Sequence, residues 1–172
     1  KLSYDGSTLL ASTYLGGSGN DAQLIGSTGS YTGLGYTCNP VEVAFDSLNN
    51  VWVTSNSSSS NFPVSSNAYQ STNAGGTDAV IVEFNSDLSS MLYGTYLGGS
   101  GWDGSIGLEM DPDGNFVAVG MTNSTNFPTT PGVLHTTNQG GNDGFVARIN
   151  SVTGALINAT YLGTSGDDEA ER

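Results

Sequence analysis

The chain has 172 residues, 25 of them Gly, and carries 3 Lys or Arg against 16 Asp or Glu, a formal net charge of −13. Three basic residues cannot neutralise a phosphate backbone or hold an anionic membrane surface, which argues against nucleic acid and lipid headgroups as partners. Hydrophobic residues make up 36% and charged residues 11%. That balance favours a packed core of about one domain's length over a disordered polyampholyte, and no aliphatic run approaches the ~20 residues of a spanning helix.

In chain order, residues 1–15 align with 83–97, so the chain opens at the end of a third strand and continues into a fourth. TYLGGSGNDA follows at 13–22, and 25–40 reads as an inserted loop. Strands are predicted at 41–46, 51–55, 78–85 and 91–97, then at 108–111, 116–120, 144–150 and 155–162, from β-branched and aromatic runs bounded by Gly, Asn, Asp, Ser and Pro. Tight turns by composition join the first strand of each set to the second, at 47–50 and 112–115. No stretch keeps a 3.6-residue apolar period, so the fold class is all-β.

The two sets are copies. TYLGG at 13–17 returns at 95–99 and as TYLGT at 160–164; Asn-Phe-Pro at 61–63 returns at 126–128. From Asp46/Asp111 through Thr95/Thr160 the offset holds at 65 residues. Fixed-period copying marks a repeat architecture, and four antiparallel strands per copy read as β-propeller blades. The expected organisation is a fourth strand of a preceding blade plus link over 1–22 and a blade with the insert over 23–102. A second blade follows over 103–167 and the start of a further link over 168–172. Two blades cannot close a ring, so the expectation is an excerpt of a larger propeller.

TYLGGSGxD, a strand–DxxGN–strand hairpin, NFPTTPG and GGxDGFVARIN together resemble the bacterial β-propeller repeat family called SBBP. The likeness covers the chain outside 25–40. The first full repeat departs from it at 47–50 and 64–66, which are turns. The resemblance implies long, modular bacterial proteins that are secreted or lie on the cell surface, some leaving by type IX secretion. It implies no common enzyme activity.

The predicted long loops all fall at one end of the blades, and loops on a rigid scaffold are where binding sits. The ligand contacts expected there are Trp102, whose repeat equivalents are Asn20 and Asp167, Tyr31 and Tyr36 in the insert, and Asp103. The plainer readings are gap-filling for Trp102, loop pinning for the tyrosines and turn capping for Asp21, Asp103, Asp168, Asp78 and Asp143. Phe62 and Phe127 recur and so read as packing. Asp111-Pro112-Asp113-Gly114-Asn115 fails the Ca²⁺-loop pattern, with Gly one place early and Thr122 at the twelfth position. His135 aligns with Gln70, no nucleophile motif is present, and Cys38 is alone. No catalytic residue, metal or cofactor is expected. The expected function is non-catalytic: a loop-rich acidic face presented to a protein or glycan, in adhesion, with the remaining blades in the same polypeptide. The alternatives are a pure spacer and a carbohydrate-binding or hydrolytic propeller.

Overall fold

The structure, a computed structural model, describes residues 1–22, 41–168 and 170. The insert at 25–40, with Tyr31, Tyr36 and Cys38, lies outside them. Eight strands form: β1 (Glu42–Phe45), β2 (Val51–Ser57), β3 (Asp78–Phe84), β4 (Met91–Leu97), β5 (Asp103–Met110), β6 (Phe116–Thr122), β7 (Asp143–Ile149) and β8 (Leu156–Leu162). They make two four-stranded antiparallel sheets, each in sequential order, β1-β2-β3-β4 and β5-β6-β7-β8. The described residues contain no helix.

Each sheet is a meander, so the β1–β2 and β3–β4 turns share one end. The β2–β3 loop and the link to the next sheet share the other. Asp46 builds the first turn by accepting the N–H groups of Leu48 and Asn50 at 2.8 Å each. Asp111 does the same for Asp113 and Asn115. The position before the closing Asn needs positive φ. Gly114 supplies it at 79° and its repeat equivalent Asn49 at 60°, a conformation that Asn tolerates better than most residues with a Cβ. The two copies thus build this turn in the same conformation with different residues.

Period-two alternation divides each sheet into two faces. From the first sheet, Trp52, Ala79, Ile81, Tyr93 and Leu97 point toward the second sheet. They meet Leu108, Phe116, Phe145, Ile149 and Tyr161, and this is the main core. Trp52 lies at its centre, against Phe116 and 6.0 Å from Tyr93. Glu42 adds a polar tie, accepting the N–H of Leu108 at 3.0 Å. The other face of the first sheet carries Phe62, Val80, Val82, Phe84 and Tyr96 as a smaller cluster. β3 is thus buried on both faces and reads as an unbroken apolar run. β7 is covered on one face only, and Val146 and Arg148 on its other face are partly exposed.

Residues 1–15 form no strand. They fold as a tight turn in which Leu2 bridges Leu9 and Ser3 N–H donates to Thr8 O at 2.8 Å. The expected fourth strand is not laddered here, because no described strand lies beside it to supply its hydrogen bonds.

Candidate functional site

At the loop-rich end each link is clasped to the sheet that follows it by the same set of bonds. In the second sheet, Asp103 Oδ2 accepts Gly99 N–H at 2.8 Å and Ser124 Oγ at 2.7 Å, while Oδ1 accepts Thr122 Oγ1. Asn126 Oδ1 accepts both the N–H and the hydroxyl of Ser100, at 2.8 and 2.9 Å. The first sheet repeats this with Asp21 accepting from Gly17, Ser57 and Ser59, and Asn61 accepting from Ser18. A tyrosine closes each clasp. Tyr96 donates its hydroxyl to Ser59 O at 2.6 Å and accepts Phe62 N–H at 2.9 Å. Tyr161 does so with Ser124 O and Phe127 N–H at 2.7 and 2.8 Å. Phe62 and Phe127 then stand edge-on to those tyrosines, each at 5.9 Å.

This geometry places the residues that the sequence singles out. Asp103 is fully buried, and its carboxylate holds the turn by accepting from Gly99, Thr122 and Ser124. Trp102 is half-buried at the same end. Its backbone pairs with Asn123, accepting at 3.0 Å and donating to Oδ1 at 2.6 Å, so the indole is carried on a fixed backbone. Asp78 and Asp143 are also fully buried. Among the described residues Asp167 is exposed at this end, whereas Asp5, Asp87 and Asp113 are exposed at the opposite, short-turn end. Among the described residues, exposed acids therefore lie at both ends of the sheets. The recurring carboxylates are consumed by the links.

His135 sits as its repeat equivalent Gln70 does, its backbone N–H donating to Thr160 Oγ1 at 3.0 Å as Gln70 N–H does to Thr95 Oγ1 at 2.9 Å. Among the described residues no group of three or more His, Cys, Asp or Glu side chains could hold a metal ion.

Two carboxylates meet at the link between the sheets. A Cβ added to Gly98 would lie 2.7 Å from Asp78 Oδ1 and 2.8 Å from Asp103 Oδ2. Asp78 Oδ2 accepts from Ala74 N–H and Gln70 Nε2, but Oδ1 is buried without a partner. Burial, with a lesser push from the Asp103 charge, raises the Asp78 pKa to about 6 against the hydrogen bonds that favour its ionised form. Burial raises Asp103 as well. Asp143 Oδ1 is likewise buried and unpartnered in the second sheet.

Sequence reasoning passed over the hydroxyl pairs Ser57/Ser59 and Thr122/Ser124. Their signal was a hydroxyl residue at alternate positions, two and four places ahead of the recurring Asn. Arg148 lies on the partly exposed face of β7. In the structure its Nε reaches Asp111 at 2.5 Å and its Nη2 reaches Asp113 at 2.9 Å. The equivalent Glu83 accepts Asn50 Nδ2 at 2.9 Å instead. One strand position thus braces the same turn with either charge.

No protein-family model matches the chain, and no curated protein matches it either.

Proposed function

We propose that the chain is a run of β-propeller blades from a secreted or cell-surface bacterial protein, and that it works as a non-catalytic module whose loop-rich end receives a partner. Sequential antiparallel meanders, the 65-residue repeat and the likeness to SBBP repeats support the propeller reading. The observation that carries the functional reading is a contrast at one end of the sheets. The recurring Asp103, Thr122, Ser124 and Asn126 are spent on the clasp there, while the non-recurring Trp102 stands half-exposed on a backbone that this clasp holds. A rigidly carried aromatic offers a flat apolar surface at little entropic cost, which suits a sugar ring or a protein anchor. Adhesion is the role in which such a module would act.

Beads coated with the chain, scored for attachment to a glycan array, test this reading. Trp102→Ala is expected to lower attachment at least ~10-fold, the loss of about 1.4 kcal/mol typical of an aromatic contact, with the melting temperature unchanged. Attachment that is absent, or indifferent to Trp102→Ala, would leave the spacer reading in its place.

A further inference from the structure

Residues 1–15 have the geometry of a β3–β4 turn. Leu2 bridges Leu9 as Phe84 pairs with Met91, 82 positions later. Ser3 N–H donates to Thr8 O at 2.8 Å, as Asn85 N–H does to Ser90 O at 3.0 Å. Asp5 accepts from Ser7 as Asp87 does from Ser89. Gly6 and Leu88 take the same positive φ, 70° and 62°. Tyr14 then falls where Tyr96 and Tyr161 fall. Those two are fully buried with their hydroxyls bonded, while Tyr14 is fully exposed.

The neighbouring face of the first sheet shows the same mismatch. Val43 and Phe45 are 49% and 62% exposed, whereas Leu108, the equivalent of Val43, is 2% exposed and Met110, the equivalent of Phe45, packs on the main core. Val51 and Val53 are partly exposed where Phe116 and Ala118 are fully buried. In the second sheet this face is covered by Trp52, Tyr93 and their neighbours from the first. On the first sheet it lines a cavity of about 290 Å³ between Leu15 and Val53.

The geometry points to one occupant: a further four-stranded sheet of the same repeat, which takes residues 9–15 as its outer strand and lays a large side chain, at the position of Trp52, over Val43, Phe45 and Val51. The internal junction of this chain supplies the pattern, since the same face of the second sheet is closed by such a sheet. Tyr14 is the plug of that added sheet, its hydroxyl bridging a Ser carbonyl and a Phe N–H in an Asn-Phe-Pro loop. The contact is head-to-tail, so one face of one sheet meets the opposite face of the next. A second copy of the chain is a poorer fit. Its free face offers Val117 and Asn158 at the positions of Trp52 and Tyr93, and small residues against Val51 would leave a void. This inference rests on the reading of the chain as a run of like blades. It does not depend on what the loop-rich end binds.

The test extends the full chain with a duplicate of its own residues 41–82 placed directly ahead of Lys1, so that residues 1–15 complete the added sheet. Hydrogen exchange read by mass spectrometry should show residues 9–15 becoming protected, and Tyr14 should lose its reactivity to surface labelling. Phe45→Lys should change the melting temperature by less than ~1 °C in the original chain and lower it by at least ~5 °C in the extended one. Trp52→Ala in the duplicate alone should remove part of the gain. An extended chain in which 9–15 stay unprotected and Phe45→Lys stays silent overturns the proposal, including the case where the duplicate remains unfolded. Concentration-dependent association of the original chain that Phe45→Lys abolishes would assign the face to a second copy and overturn it too. Glycan attachment, read separately, is unaffected by either result.

Discussion

Trp52→Ala should lower the melting temperature by ~10 °C. The indole is 1% exposed and stands between Phe116 of the second sheet and Tyr93 of the first. Truncating a buried aromatic of this size costs about 3–5 kcal/mol, from lost burial and from the cavity left between two sheets that cannot collapse together. In a chain of this length each kcal/mol moves the midpoint by about 2–4 °C. Phe45→Ala is the matched control: an aromatic in the same sheet, 62% exposed, whose loss should cost less than ~1 kcal/mol. Differential scanning calorimetry on the two variants decides it. Equal losses would mean that the core does not lie between the sheets where Trp52 is placed.

The melting temperature should also fall as the pH rises from about 4 to about 7. Asp78 is an acid whose folded pKa, about 6, stands above its ordinary value of 3.8. Folding therefore favours its neutral form. The stability it contributes is full below 3.8 and is lost as the pH passes through about 6. Desolvation is the main cause, and the charge of Asp103 across Gly98 adds to it. A displacement of that size corresponds to about 2–3 kcal/mol, or about 5–10 °C here. Below pH ~4 the slope should reverse. Hydrogen bonds from Ser3 and Ser7 hold Asp5 down at about 2, and those from Ser89 lower Asp87, so these groups lose their contribution as acid protonates them. Asp78→Asn should flatten the profile between pH about 4 and about 7, since an amide stays neutral throughout. A melting temperature that rises over that range would contradict the buried, unpartnered placement of Asp78 Oδ1.

The fold was largely legible in the sequence because each strand carries its own alternation and each turn its own Asp, Asn or Gly. The eight predicted strands match the eight observed to within a few residues at the ends. β5 is the largest miss: it begins at Asp103 rather than at 108. Its first residues, Asp-Gly-Ser, have poor strand propensity, and a register shift falls between Ser105 and Gly107. The Asp103–Thr122 clasp holds them in the ladder, and such a long-range bond leaves no local mark.

At the loop-rich end the recurrence of Asp103 was visible, and its turn-capping role was one of two readings that the sequence allowed. In the structure three donors converge on its buried carboxylate, the geometry of a turn cap. The exposure of Tyr14 was not legible at all. Its motif is the same as that of Tyr96 and Tyr161, and only the presence of a neighbouring sheet distinguishes a buried copy from an exposed one. For the same reason the sequence could not rank Phe45 against Met110. The strand position of Glu83 and Arg148 accepts either charge. Here it reflects two ways of bracing the turns at Asp46 and Asp111.

The central claim is that residues 1–15 and the Val43/Phe45 face are the unfilled counterpart of the junction between the two sheets. Hydroxyl-radical footprinting of the chain, read residue by residue, tests it most directly. The account expects Tyr14 and Phe45 to label readily while Tyr96, Tyr161 and Phe116 stay protected. Protection of Tyr14 and Phe45 equal to that of their repeat equivalents would contradict it.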